Sequence, residues 1–439
     1  MFSPKIHPNL REVLSLARAE AETEPQKIPI IIRYSPRAEL SLATAAADTG
    51  VEPRRTLRLL PCIAAEATPE DIHRLAENPA VERIWYDMPV HAMLDVSVPH
   101  IRANKVWAQG DEGAGVRVAI LDTGCDMGHP DLKDRVRKSK DFSGKGTAQD
   151  GNGHGTHVAS IIAGSGAASN GKYRGVAPKA DLFIAKVLDD EGRGRMSDVM
   201  AGLDWAVDEN AQVVNLSLGS DMNCDGTDAL SEACDAAAGK GVVVVVAAGN
   251  SGPMPRTVGS PGCAREVITI GASTDDDQVA SFSSRGPTSD GRVKPDVVLP
   301  GVNIIAARAK GTSLGSGQID EYYTSLSGTS MATPHASGVV ALLLAANPSL
   351  TPRQVKEVLK STAIDLEENM NSQGAGRVDA YAAWEMAKSG DVPEPGPEPT
   401  PEPPPGPPGP PEPPIPPVPP PPDGCLGLIG RLLALLLRK

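Results

Sequence analysis

The chain has 439 residues, 40% hydrophobic and 3% aromatic, and its 42 Lys plus Arg against 55 Asp plus Glu give a net charge of −13. That apolar fraction supports sizeable cores and excludes wholesale disorder. The acidic balance argues against nucleic acid as the main partner, because a basic footprint is missing.

Six cysteines, at 62, 125, 224, 234, 263 and 425, are too sparse for a disulfide framework. None falls in a C-x-x-C pair, so zinc-ribbon and thioredoxin-like readings fail. The opening Met-Phe-Ser-Pro-Lys-Ile-His-Pro lacks the apolar core of a secretory leader. This favours the cytoplasm; peripheral membrane attachment and export without a cleavable signal are the other readings. No run of 18 apolar residues reads as a membrane-spanning helix.

Residues 1–94 read as a small domain behind a polar leader. Ile28–Tyr34 is an apolar strand, Leu40–Thr49 is Ala-rich and helical, and Thr56–Ala67 alternates loosely enough for two strands. Thr68-Pro-Glu-Asp71 is a helix start, with an N-cap hydroxyl, Pro at N1 and acids in the first turn. Val81–Tyr86 closes the domain with a strand. The order β-α-β-β-α-β predicts a ferredoxin-like α+β plait.

Residues 95–390 alternate short β-branched runs with helical stretches. The strands are Val116–Leu121, Leu182–Val187, Val213–Leu218, Val242–Ala248 and Val267–Gly271. A run such as Val242–Val246 suits a strand buried on both faces of a parallel sheet. Helices are expected at Ser197–Asn210, Thr227–Lys240 and Met331–Ala346, and Thr351-Pro-Arg-Gln354 is a capping box opening another. The alternation predicts a three-layer α/β domain. Its site should lie at the carboxyl ends of the strands.

Residues 391–423 form a Pro-rich linker, with 20 of the 42 prolines between 392 and 422, extended in polyproline II form. The tail, 424–439, carries a twelve-residue apolar run broken by Arg431. It is too short to span a bilayer. It reads equally as a peripheral contact with a membrane or protein partner and as a self-association patch or packed helix.

Three segments carry chemistry: Ala119-Ile-Leu-Asp-Thr-Gly124, Asn152-Gly-His-Gly-Thr-His-Val-Ala159 and Ser327-Gly-Thr-Ser-Met-Ala-Thr-Pro-His335. Alone, each has an ordinary explanation as a turn or cap. Together they supply what a serine nucleophile needs. A hydroxyl is a poor nucleophile at neutral pH without a base in reach, and His is the natural base. A buried carboxylate fixes the tautomer of that base and steadies the imidazolium. Asp122, His154 and Ser330 fill those roles. Ser330 opens a helix whose dipole and free N–H groups favour developing negative charge.

These segments resemble the signatures of the subtilisin-like serine proteases, or subtilases, over about residues 95–390. The resemblance implies a serine endopeptidase acting on polypeptides through an acyl-enzyme. It assigns the base to His154, with His157, His129 and His335 as structural residues. Val245-Val-Ala-Ala-Gly-Asn-Ser-Gly252 resembles the oxyanion segment and makes Asn250 the side-chain donor beside the Ser330 N–H. Ser217, Leu218 and Gly219, with Gly192 and Gly194, resemble two edge segments that sandwich an extended peptide. Gly249 and Gly259 fall where the family lines its first specificity pocket, which implies a large hydrophobic residue before the scissile bond. The plait resembles an inhibitory propeptide, threading Tyr86–Leu94 into the cleft as product. Self-cleavage is then expected near Leu94–Asp95.

No cofactor is required for this chemistry, but the resemblance implies structural calcium. Asp131 matches one family ligand position, although the loop at 164–173 departs from the family pattern. Asp296 is a candidate for a weak cation site. Asp221, Asn223, Asp225 and Glu232 fit the twelve-residue calcium-loop pattern, against the alternative of an acidic loop capping a helix. Cys224 and Cys234 are near enough in sequence to bridge; Cys125 reads as a buried small hydrophobe.

A rival from another class is a scaffold or binding protein acting through its linker and tail, distinguished by whether Ser330 reacts with a serine-directed phosphonate. A sedolisin-type acid protease would need a Glu base where this chain has His154.

Overall fold

The computed structural model describes residues 3–7, 10–11, 14, 27–35, 51–57, 62–86, 94–220, 223–315 and 317–394. The expected helix at 40–49, the product segment at 87–93, and the linker and tail beyond 394 lie outside them. The chain divides into two compact units, Met1–Ala92 and the residues from Met93 on.

In the first unit, strands β1 (Ile28–Tyr34), β2 (Pro53–Leu57), β3 (Cys62–Ala67) and β4 (Val81–Tyr86) form an antiparallel sheet in the order β2-β3-β1-β4. Burial alternates along β1, so Ile28, Ile30, Ile32 and Tyr34 face a core with Ile63, Ile72, Leu75 and Ile84. Helix α1 (Pro69–Glu77) starts where the sequence signals it. Thr68 Oγ1 accepts from the Asp71 N–H at 3.2 Å, and the Thr68 N–H donates back to Asp71 Oδ2 at 3.3 Å. The strand order is the one a β-α-β-β-α-β plait produces.

The second unit is built on seven parallel strands: β5 (Arg117–Asp122), β6 (Val136–Asp141), β7 (Asp181–Lys186), β8 (Val213–Leu216), β9 (Val243–Ala247), β10 (Ile268–Ser273) and β11 (Val297–Pro300). Their order is β11-β10-β9-β8-β5-β7-β6. Two short helices, α2 (Leu94–His100) and α3 (Ala103–Trp107), precede the sheet. Helices α4 (His154–Ala163), α5 (Met196–Asp208) and α6 (Ala229–Gly239) lie between strands. Val199, Leu203 and Ala206 of α5 and Leu230, Cys234 and Ala237 of α6 bury one face against Ala119, Leu121, Phe183, Val214 and Val244. On the other face lie α4 and α7 (Thr329–Ala346). The three layers are therefore those of the expected α/β fold.

Helix α7 is long and apolar enough to cross a membrane, yet every residue from Thr329 to Leu344 except Ser330 is buried within the unit. It is a core helix. Strands β12 (Ile304–Ala307), β13 (Gly317–Gln318) and β14 (Tyr323–Leu326) form a small antiparallel sheet leading into it. Helices α8 (Pro352–Ser361), α9 (Met370–Gln373) and α10 (Ala380–Ser389) complete the described chain. The expected capping box opens α8, the Thr351 N–H donating to Gln354 Oε1 at 3.0 Å.

From β5 the chain crosses to the edge strand β6, returns to insert β7 between them, and then extends the other side from β8. The sheet thus has a topological switch between β5 and β8, whose carboxyl ends bound a crevice where such sheets place their ligands.

Candidate active site

Asp122 is the last residue of β5 and is fully buried. His154 is the first residue of α4, and its Nδ1 donates to Asp122 Oδ1 at 2.7 Å. That bond leaves Nε2 as the basic nitrogen. The Thr123 N–H donates to the same carboxylate oxygen at 2.7 Å. Glycine is required behind the histidine: a Cβ on Gly155 would stand 2.1 Å from the Gly124 carbonyl oxygen. Burial alone would lower the His154 imidazolium; Asp122, with a further contribution from Asp150, overrides it and raises the pKa above the ordinary value.

Ser330 is the second residue of α7. Its hydroxyl donates to the Ser217 carbonyl at 3.0 Å in this structure. Pro334, four residues along, has no N–H for the Ser330 carbonyl. Ser217 Oγ–H fills that gap at 2.9 Å. Asn215 Nδ2 donates to Ser217 Oγ at 3.0 Å, and Asn215 Oδ1 accepts from Ser337 Oγ at 2.8 Å, which ties the end of β8 to α7. Asn250 Oδ1 accepts from the Thr329 N–H at 2.9 Å and the Thr329 hydroxyl at 3.1 Å. With its oxygen committed, the amide has only N–H groups left to offer.

Of the residues expected to form the substrate edges, Ser217 is therefore in direct contact with Ser330. Leu218 packs against the α5–α6 side of the core. The Ser220 N–H donates to the Ser260 carbonyl at 2.8 Å, holding the segment that contains Gly219 beside Gly259 and Ser260. Gly192 closes a turn, its N–H donating to Asp189 O at 3.1 Å, and Asp189 N–H donates to Arg193 O at 2.8 Å, just before Gly194. Gly249 has φ +106° and sits against Ser284, so the turn before Asn250 needs glycine.

The calcium positions are arranged differently. Around Asp131, fully buried, the groups are donors: Tyr323 O–H at 2.8 Å and the Ala168 N–H at 2.9 Å. A metal ion would require oxygens facing it there, so these residues do not fit one. Asp221 lies outside the described residues. Asp225 Oδ1 accepts from the Thr227 N–H at 3.0 Å and the Thr227 hydroxyl at 2.6 Å, and Asn223 pairs with Gly259 in an isolated bridge. Asp228 caps α6, accepting from the Leu230 and Ser231 N–H groups, and Glu232 lies in the first turn of that helix. The described part of this loop is the helix-capping arrangement. Cys224 bridges to Cys263 and not to Cys234, which is buried and free, as is Cys125.

The other histidines make specific ties. His157 Nε2 donates to Ile304 O at 3.0 Å, and His129 Nε2 to Tyr322 O at 3.0 Å. His335 Nδ1 donates to Met331 O at 2.8 Å, so its Nε2 accepts from Ser97 O–H at 2.9 Å.

Two residues absent from the sequence reading support the site. Asp150, 2% exposed, takes five hydrogen bonds. Its Oδ1 accepts from Thr123 Oγ1, Asn152 N and Gly153 N, and its Oδ2 from Thr156 N and Oγ1. It thereby folds the loop that presents His154. Lys186, fully buried, donates to Thr123 O at 2.5 Å and Asp190 Oδ1 at 2.8 Å, while Asn152 Nδ2 donates to Asp190 O at 3.0 Å. The turn at 189–194 is thus tied to the segments that carry Asp122 and His154. A lysine ending an otherwise apolar strand was the visible signal for Lys186; an acid four residues before His154, in a Gly-rich turn, was the signal for Asp150.

Comparison with known proteins gives a match between residues 113–378 and the family model described as "Subtilase family". "Serine protease AprX" of Bacillus subtilis (strain 168) is 42% identical over 345 residues, 73% of this chain and 78% of that protein. "Subtilisin DY" of Bacillus licheniformis is 40% identical over 288 residues, 65% of this chain and 97% of that protein. "M-protease" of Shouchella clausii (strain KSM-K16) is 37% identical over 351 residues, 79% of this chain and 85% of that protein.

Proposed function

The chain belongs to the subtilase family of serine endopeptidases, and from that premise we propose that it hydrolyses polypeptides through Asp122, His154 and Ser330. The observation that carries this reading is the 2.7 Å bond from His154 Nδ1 to the buried Asp122 carboxylate. It fixes the tautomer in which Nε2 accepts a proton. On substrate binding the Ser330 hydroxyl turns from Ser217 O to His154. Ser330 Oγ then bonds to the scissile carbonyl carbon while its proton passes to His154 Nε2. The electron pair of the carbonyl moves to its oxygen, facing the Asn250 amide and the Ser330 N–H. Collapse breaks the C–N bond, and His154 returns the proton to the leaving amine. Water attacks the acyl-enzyme by the same route and restores Ser330. Subtilases need no cofactor for this chemistry.

The peptide lies between the edges at Ser217–Gly219 and Gly192–Gly194. Gly249 and Gly259 line the pocket for the residue before the scissile bond. Residues 1–94 act as the enzyme's own inhibitory propeptide, removed by self-cleavage near Leu94–Asp95. A panel of short peptides varied at that residue tests the central reading. Wild type should cut best after Phe, Tyr or Leu, and Ser330→Ala should leave no measurable turnover and no labelling by a serine-directed phosphonate. A preference for Lys or Arg would overturn the pocket assignment; undiminished turnover by Ser330→Ala would overturn the mechanism.

A further inference from the structure

Asp296, the residue before β11, is 8% exposed and belongs to two lysines. Lys294, 2% exposed, donates from Nζ to Asp296 Oδ2 at 2.7 Å, Thr269 Oγ1 at 2.8 Å and Val267 O at 3.3 Å. Thr269 donates its own hydroxyl proton to Gly262 O at 2.6 Å, so towards Lys294 it accepts. Three acceptors require three N–H bonds, which an ammonium has and a neutral amine lacks. From α8, Lys356 Nζ reaches Val267 O at 2.9 Å, Arg265 O at 3.0 Å and Asp296 Oδ1 at 3.3 Å.

Two backbone carbonyls, a hydroxyl and both oxygens of a carboxylate therefore surround two ammonium groups. A carboxylate with carbonyls is the donor set of a hard cation, and here those oxygens face nitrogens of the chain itself. Burial pulls the Lys294 ammonium down, to about 7, against the attraction of Asp296. Burial would also raise the Asp296 carboxyl, but Lys294 and Lys356 hold it well below the usual carboxylate range. The number of acceptors around Lys294 decides for its charged form.

We propose that Lys294 is a tethered cation, its ammonium filling an oxygen cage that would otherwise take an alkali or alkaline-earth ion. The joint between β10, β11 and α8 is then closed without a metal, and shortening Lys294 opens a cation site. The test is thermal unfolding of the full chain carrying Ser330→Ala, to prevent self-digestion, with and without Lys294→Ala. Each is scanned at one rate in choline chloride, KCl or CaCl2 at matched ionic strength. In choline chloride, Lys294→Ala should lower Tm by about 5–10 °C, as expected for breaking a buried ion pair. Potassium or calcium should restore about half of that loss, beyond any shift the same ion causes in the parent. Equal ion responses in variant and parent would overturn the proposal. If Lys294→Ala does not fold, Lys356→Ala removes one ammonium from the same cage and carries the same comparison.

Discussion

His154 is influenced by two carboxylates that act on it differently. Asp122 bonds the ring directly, whereas Asp150 organises the loop around it and adds its charge from behind. The base must be neutral to take the Ser330 proton, so peptidase activity should rise with pH along a limb centred above about 6.5, the ordinary imidazole value. Asp150→Asn separates the two contributions of this positioning residue. The amide keeps an oxygen for Thr123, Asn152 and Gly153, but its nitrogen cannot accept from Thr156. We expect kcat/KM to fall about 10–100-fold through misplacement of the loop. The limb should also move to lower pH, because a charge that had raised the His154 pKa is gone. A pH–rate profile that keeps its midpoint while activity falls would show that Asp150 acts through structure alone.

Between the elements, the Cys224–Cys263 bridge fastens the chain before α6 to the segment that follows Gly259, the proposed pocket wall. It is supported by Arg292, which donates to Asp225 O at 2.7 Å and Cys263 O at 2.8 Å. Its cysteines are 39 residues apart, and a loop of that length gives a chain-entropy stabilisation of up to about 4 kcal/mol. Replacing both cysteines by Ser should lower Tm by several degrees. It should also raise KM for peptides with a large apolar residue before the scissile bond more than it lowers kcat; unchanged KM values would detach the bridge from the pocket. Sequence pattern could not reveal this pairing, since closeness along the chain pointed to Cys234 and only the fold brings 263 beside 224. The strands that pattern did reveal, such as β1, β5 and β9, are apolar runs with a clear period or burial on both faces. Strand β6 escaped it because Val-Arg-Lys-Ser-Lys-Asp at the sheet edge leaves its middle exposed. Strands β11 and β12 are only four residues long and sit among Pro295, Pro300 and Gly301, residues that read as turns. The chemical residues were legible because their local segments are distinctive, whereas Asp150 and Lys186 act through partners that only folding assembles.

At the scale of the whole chain, the two units differ in how they reach their folds. The first closes an antiparallel sheet, and its β3 and β4 are joined through the short, well-capped α1. The second must assemble seven parallel strands through crossovers, which makes its contacts non-local, and topologies of that kind fold slowly. A helper domain that later leaves is consistent with that contrast. The proposed self-cleavage is bounded by geometry: Ser97 is tied to His335 on α7, His100 Nε2 to Asp277 at 2.8 Å, and Arg102 to Asp379. Ala380 N–H also donates to Ile101 O at 2.8 Å. Residues from Ser97 on are thus fastened within the second unit, and a cut after that point would sever a helix from its anchors. Leu94 and Asp95 open α2, and an extended substrate strand cannot include a helical turn, so cleavage there requires that first turn to unwind. Intact-mass measurement of expressed protein should therefore find wild type divided at a bond between 86 and 97 and Ser330→Ala undivided. A variant trimmed at the same bond as fast as wild type would assign the cut to another protease, and a fragment beginning beyond Ser97 would contradict the limit those anchors impose.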